Sequence, residues 1–252
     1  MKPSEEWNLS TTWIGARTLV YDCVASTNSL AFDLAKDEND GLAILAHEQS
    51  SGRGQHGRVW SSPRDTSVLL SVLLFPPPYL MRPVILTAWA AVAVSRVVEK
   101  LTNQAPRIKW PNDVLLNEKK ICGILIEQKK GTVVGIGLNV LQNERTFQDA
   151  NLPDATSLTL HCEQDLSWSM VAQLLIEQLD LEYRSLVQQE IGSLEEEWTR
   201  YLDLSQKRVQ VEHVNGMTTG ALSHLSFEMV RLSSGLTFSP EQIVHISPID
   251  HG

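Results

Sequence analysis

Three short stretches hold the residue types that could do chemistry. Ser50 to Pro63 reads SSGRGQHGRVWSSP, with three glycines (Gly52, Gly54, Gly57), two arginines (Arg53, Arg58) and Trp60. Glycine lets a ligand come close to the main chain. Arginine offers a planar fork of donors that fits a carboxylate or a phosphate. A loop alternating the two is suited to wrapping an anion, although a lone Gly-Arg-Gly would read better as a basic surface turn. Arg107 to Val114 (RIKWPNDV) and Lys119 to Glu127 (KKICGILIE) strengthen the functional reading. Together they supply Lys109, Lys119 and Lys120 as further positive charge.

That charge runs against the sign of the whole. The chain has 252 residues and a net charge of -9, which argues against general nucleic-acid binding. A local positive cluster in an acidic protein points to a small anionic ligand. Cys23, Cys122 and Cys162 lie far apart, and the seven histidines include no His-x-x-x-His pair. Neither pattern supports a metal site. The cysteines suit a reducing compartment. The first ten residues, MKPSEEWNLS, have no apolar signal-peptide core, so the expected location is cytoplasmic. No apolar run approaches the roughly 20 residues of a membrane helix.

The elements that must position these residues follow in order. Residues 1 to 15 show no periodicity and read as a loose lead-in. Arg17–Val24 reads as a strand by its β-branched and aromatic content. Ser26, Thr27 and Asn28 follow at the start of a helix, where such residues cap free amides or reach a ligand. Gly41–Glu48 and Thr66–Phe75 read as strands, the second buried, and Val84–Leu101 as a buried helix. Trp110-Pro111-Asn112-Asp113 is a turn by composition. Val114–Leu116, Ile121–Glu127 and Thr132–Val140 read as adjacent strands, the last two joined as a hairpin at Lys129-Lys130-Gly131. Lys120 reads as a functional residue beside Gly123, and Lys119 as its outward neighbour. Leu141–Ser157 has no period, so it reads as a lid or binding loop. Ser167–Gln188 is an amphipathic helix with Met170, Leu174, Leu175, Leu179 and Leu181 as its buried side, and Leu194–Leu204 a shorter one. From Lys207 short strands alternate with turns, which sets a domain boundary near Asp203 and predicts a small β-barrel.

Five markers in this order resemble the biotin protein ligases over nearly the whole chain: Ser26-Thr27-Asn28 after a strand, Gln49 before GRGQHGRVW, KWPND, KKICGILIE and GIGLNV. The likeness is to the short form without an N-terminal DNA-binding domain. It implies an α+β fold like that of class II aminoacyl-tRNA synthetases, a mixed sheet with helices over 1–203 and a small SH3-like β-barrel over 204–252. It implies activation of biotin by ATP to biotinyl-AMP. Biotin then passes to a lysine of the biotin carboxyl carrier domain of acetyl-CoA carboxylase or a related carboxylase.

Carried over by motif, the resemblance assigns Ser26, Thr27, Asn28, Gln49, Arg53, Gly54, Gln55, Lys120 and Gly123 to biotin. It assigns Arg53, Arg58, Trp60, Lys120 and Asn139 to ATP and the adenylate. Arg53 and Lys120 would be catalytic. Mg²⁺ would accompany ATP, with Asp113 and Asn139 as weak candidates beside it. Asp113 reads equally as base, metal ligand or turn residue. Where the family most often has a second loop arginine, this chain has Gln55, which removes a charge that would help retain the intermediate. Gly123–Leu125 and Gly135–Gly137 would form the pocket floor. A homodimer paired through a sheet edge is one option; nucleic-acid and membrane partners are not expected. The alternatives are a lipoate or octanoate ligase of the same fold and a non-catalytic biotin or nucleotide binder.

Overall fold

The computed structural model describes residues 2–249. The elements are β1 (Glu5–Asn8), β2 (Arg17–Tyr21), α1 (Thr27–Asp33), β3 (Ala43–Ala46), β4 (Ser67–Leu74), α2 (Pro83–Thr102), β5 (Arg107–Lys109), β6 (Asp113–Leu116), β7 (Lys119–Lys129), β8 (Gly131–Asn139), α3 (Glu144–Asp149), α4 (Trp168–Val187) and α5 (Ile191–Leu202). The last part holds β9 (Arg208–His213), β10 (Gly216–Leu225), β11 (Val230–Leu232), β12 (Thr237–Phe238) and β13 (Ile243–Pro248). Among the described residues no helix is long and apolar enough to cross a membrane.

The first eight strands form one mixed sheet in the order β1-β2-β3-β4-β8-β7-β6-β5, parallel only between β2 and β3. Strand residues alternate between its two faces. On one face the apolar sides of α2, α4 and α5 cover residues such as Val68, Leu70, Val72 and Ile136 in a continuous core. On the other, α1 covers a smaller core that includes Ala31, Leu73 and Val133. α1 is short, so the rest of this second face is left to loops.

The lead-in is not loose. β1 pairs antiparallel with β2, Trp7 opposite Thr18. Asp180 of α4, 2% exposed, then pins the chain before β2. Its carboxylate accepts the backbone N–H groups of Thr12 (3.1 Å), Trp13 (2.6 Å) and Ile14 (2.9 Å), with Arg184 Nε at 3.4 Å. Removing it would leave three donors without an acceptor. We expect Asp180→Ala to cost about 3 kcal/mol in urea denaturation; a loss under about 1 kcal/mol would mean that β1 is held by pairing alone.

Three other expectations change. On α4 the buried stripe is Val171, Ala172, Leu175, Ile176, Leu179, Tyr183 and Leu186. Met170 and Leu181, at 40% and 48% exposed, lie off it. The segment 141–157 is not devoid of structure: Asn143 caps α3 by accepting the Thr146 N–H at 2.9 Å. The strand of Arg17 ends at Tyr21, before the bridge of Val24 to Gln49.

Between Leu202 and Arg208 the chain turns from helix to a second, antiparallel sheet in the order β12-β11-β10-β9-β13. β10 serves both halves, pairing with β9 through Ala221 and with β11 from Leu222, with a register shift between Leu222 and His224. Trp198 packs between Trp110 and Phe227, and Arg82 reaches Glu228, Glu241 and the Phe227 carbonyl. The second sheet therefore docks on the end of α5 and the Trp110 turn.

Candidate functional site

The second face of the large sheet is built from three rows that the pairing register fixes. Leu69 of β4 lies opposite Gly137 of β8, Gly137 opposite Gly123 of β7, and Gly123 opposite Asp113 of β6. The next row is Ser71, Gly135, Leu125, and the one after it Leu73, Val133, Glu127. Three of these positions are glycine, so the sheet has a trough where other strands would carry side chains. A cavity of about 310 Å³ opens over the trough. That is at the lower end of the range for small-ligand sites.

Two aromatic and polar side chains already use the space. A Cβ on Gly137 would stand 2.5 Å from Trp60 Cε2, and one on Gly123 3.0 Å from Trp60 Cζ3. The indole thus lies flat on the sheet. A Cβ on Gly135 would collide with the Asn28 amide. Trp60 Nε1 is buried without a partner among the described residues, a free donor inside the site. Gly137→Ala should cost about 1–3 kcal/mol by forcing the indole upward. That cost should vanish in a Trp60→Ala background, as unfolding in denaturant would show. A cost that persists there would place the crowding elsewhere.

Lys120 reaches this site through a bulge. β6 pairs Val114 with Cys122 but Leu115 with Lys120, so Ile121 is an extra residue. In a regular strand residues 120 and 123 would face opposite ways; the inserted residue re-aims one of them. Ile121 and Cys122 both point into the core, and Lys120 Nζ comes to 3.2 Å from where a Gly123 Cβ would be. Its backbone is clamped from outside, Lys120 N donating to Asp154 O (2.7 Å) and Thr156 N donating to Lys120 O (2.9 Å). Lys119 is exposed, as alternation requires. Burial pushes the Cys122 thiol well above its ordinary range, against the opposing charge of Lys120. It is a core residue, not a nucleophile.

The Ser26-Thr27-Asn28 triplet is buried at the start of α1. Ser26 occupies the N-cap position, yet its side chain makes no cap bond. Gln49 does that work instead: its Oε1 accepts the Thr27 N–H at 2.8 Å and lies 3.1 Å from Thr27 Oγ1. Ser71 Oγ lies 2.7 Å from Thr27 Oγ1 and 2.5 Å from Asn28 Oδ1. Thr27 and Asn28 are therefore held in a buried polar network against β4 and β8, while Ser26 stands beside them in the cavity wall.

The glycine-arginine loop folds back as a hairpin over the trough. Arg53 and Val59 bridge, Gly54 N donates to Arg58 O (2.8 Å), and Trp60 N donates to Gly52 O (3.0 Å). Gly57, at φ +75°, makes the turn that few other residues would adopt. His56 is exposed at the tip.

All of the residues expected from the sequence line this one cavity: Ser26, Thr27, Asn28, Gln49, Arg53, Gly54, Gln55, Arg58, Trp60, Asp113, Lys120, Gly123 and Asn139. The expected positive cluster is smaller than its residue count. Lys109 and Lys119 do not line the cavity. Lys120 Nζ is paired with Asp113 Oδ1 at 2.6 Å, and Arg53 Nη2 with Glu127 Oε2 at 2.9 Å. Arg58 has no ion pair among the described residues. Two cations that an anionic ligand would meet are thus each held by a carboxylate.

Asp113 is the first residue of β6 and the partner of Lys120, not a free turn residue. Asn139 is 6% exposed with its amide committed. Its Nδ2 donates to Thr156 O (3.0 Å), and its Oδ1 accepts from Ser67 Oγ (3.3 Å) and Gln142 Nε2 (3.1 Å). It fastens the 141–157 segment to the sheet. Thr156 Oγ1 lies 2.8 Å from His161 Nε2; burial and, next, the charge of Lys119 hold that imidazole below its ordinary value. Both side chains line the cavity, Asp113 beside Lys120 and Asn139 tied to the 141–157 segment. Among the described residues no group of three His, Cys, Asp or Glu side chains could hold a metal ion.

Sequence reasoning missed Ser71, Asn112 and Glu127, while Phe147, Leu152 and Ala155 line the cavity from the 141–157 segment, which reads in the sequence as a lid or binding loop. Ser71 had a faint signal, one polar residue inside the apolar run of β4. Asn112 Nδ2 donates to Ile124 O at 2.7 Å and locks the Trp110 turn onto β7. Glu127 had no local signal, because its partners are 74 and 99 residues away.

Residues 20–143 match the Biotin/lipoate A/B protein ligase family. Among curated proteins, the chain is 32% identical over 202 residues to the bifunctional ligase/repressor BirA of Bacillus subtilis, covering 77% of this chain and 62% of that protein. It is 35% identical over 173 residues to the biotin–[acetyl-CoA-carboxylase] ligase of Mycobacterium tuberculosis, covering 62% of each. The chain thus matches less than two thirds of either relative. In structure it is similar to the biotin protein ligase of Aquifex aeolicus in complex with biotin and ATP, with a TM-score of 0.79, 24% identity, and coverage of 92% of this chain and 99% of that one.

Proposed function

We propose that the chain is an ATP-dependent biotin protein ligase, a reading that starts from the match of residues 20–143 to the biotin/lipoate A/B protein ligase family. The observation that carries the reading is the shared cavity. A buried polar triplet, an arginine loop and a bulge-aimed lysine converge over one glycine trough. The names of the relatives, one a biotin–[acetyl-CoA-carboxylase] ligase, support it.

The ring of biotin would sit against the triplet, whose hydroxyl and amide groups suit a urea, and on the trough. Its carboxylate would point to Lys120 and Arg53. A biotin carboxylate oxygen forms a bond to the α-phosphorus of ATP, the bond to pyrophosphate breaks, and biotinyl-AMP results. This step brings two anions together, so the protein contributes positioning and positive charge rather than a nucleophile. Lys120 and Arg53 supply that charge, each oriented beforehand by its carboxylate. Trp60, with its free Nε1, is proposed to meet the adenylate.

In the second step a lysine amine of an acceptor forms the amide bond, loses a proton, and AMP leaves. The hairpin over the trough would keep water from the mixed anhydride meanwhile. Mg²⁺ is proposed to arrive with the ATP phosphates, beside Asp113 and Asn139 in the cavity lining. Residues 1–203 are proposed to carry this chemistry and 204–252 to be an accessory domain.

The acceptor proposed is the biotin carboxyl carrier domain of acetyl-CoA carboxylase. Three free cysteines support a cytoplasmic setting. Incubation with biotin, ATP and a purified carrier domain should add the mass of one biotinyl group, biotin less one water, to one acceptor lysine. An acceptor that gains lipoate instead, when both acids are offered, would move the reading to a lipoate ligase of the same fold.

A further inference from the structure

Resting on that reading, we propose that Glu127 is a positioning residue that ties the ring-binding end of the cavity to the loop arginine. Glu127 does not line the cavity. It stands one row behind the trough, opposite Val133, on the same face of β7 as Gly123 and Leu125. From there a single oxygen, Oε2, accepts from Asn28 Nδ2 at 2.9 Å and from Arg53 Nη2 at 2.9 Å. One atom thus joins the start of α1 to the glycine-arginine loop.

Both partners are fixed by this choice. Asn28 Oδ1 faces Ser71 Oγ at 2.5 Å, so the amide is oriented from both ends. Arg53 carries five N–H donors, and Glu127 uses only Nη2. The rest of its fork remains for an anion in the cavity, which Arg53 lines. Charge-assisted bonds of this kind are the directional ones. The side chains of Glu127 and Arg53 are 20% and 40% exposed, so the pair is not a buried prop of the core. What it fixes is where the guanidinium points. A ligand that engages Asn28 acts on Arg53 through the same oxygen.

The test uses Glu127→Gln, which keeps the shape and removes the charge. In the ligand-free protein, the amides of residues 50–60 should exchange with deuterium about tenfold faster than in the wild type, since the loop has lost its charged anchor. Arg53→Ala breaks the same contact from the other side and must speed the same amides. Unchanged exchange in both variants overturns the proposal without reference to any reaction.

In ATP–pyrophosphate exchange, Glu127→Gln should raise the KM for biotin about tenfold and lower kcat, with the melting temperature little changed. In an Arg53→Ala background the same substitution should alter kcat/KM by clearly less than in the wild type, the remainder being the part that acts through Asn28. Full additivity, or tighter biotin binding in Glu127→Gln, would show a mere neighbour or a competitor and overturn it. A wild type without biotin-dependent exchange would overturn the ligase reading instead and leave the ligand-free measurement to decide the role of Glu127.

Discussion

Lys120→Ala should lower the rate of adenylate formation by a factor on the order of 10²–10³, the scale for losing one positioned donor in a reacting site. The substitution does more than remove a charge. Lys120 and Asp113 form a pair at 2.6 Å, and without the lysine Asp113 is left as a carboxylate beside two further anions. The site changes from a neutral pair to a net negative group. Replacing Asp113 as well, in Lys120→Ala/Asp113→Asn, should therefore recover part of the loss. The bulge, the 154–156 clamp and the buried Ile121 and Cys122 use the backbone at Lys120, not its side chain, so the fold should persist. Single-turnover formation of labelled adenylate measures the step directly. A rate within a few-fold of the wild type would remove Lys120 from the chemistry.

Arg53→Ala should cost adenylate formation a factor on the order of 10², and its second effect distinguishes it from Lys120→Ala. The Arg53 side chain is the loop's link to β7 through Glu127. Without it, residues 50–60 should fail to gain protection from amide exchange when biotin and ATP are added. In the wild type these amides should slow sharply on closure. Lys120→Ala, which leaves the loop anchor in place, should retain most of that protection. Loss of protection in Lys120→Ala but not in Arg53→Ala would reverse the two roles.

The parts legible in the sequence were those set by local pattern. The apolar run that became β4, the helix that became α2 and the hairpin of β7 and β8 all follow from residues adjacent in the chain. The site residues were legible because five motifs occur in order, which marks them without saying how they meet. Where the sequence failed, the deciding contact was distant. β1 is short and polar, and its place is set by β2 and by Asp180, more than 160 residues away. Ser26 stands where a cap residue should, but Gln49 takes the Thr27 amide from the end of another strand.

Met170 and Leu181 match a helical stripe in spacing, but the true stripe is set by what α2 and β4 present. Charge was visible residue by residue, while its neutralisation by Asp113 and Glu127 needed the register of β6, β7 and β8. The bulge at Ile121 is the clearest case. Alternation separates Lys119 from Lys120, but only the extra residue explains how Lys120 reaches the side of the sheet where Gly123 opens the trough.

The central claim is that one cavity activates biotin with ATP. ATP–pyrophosphate exchange by the purified protein tests it most directly, run with biotin, with lipoate and with neither acid. The account predicts exchange only when biotin is present. Exchange that requires lipoate would keep the two-step chemistry and overturn the assignment of the triplet to a urea; no exchange with either acid, in a protein that still binds biotin, would contradict the claim of catalysis.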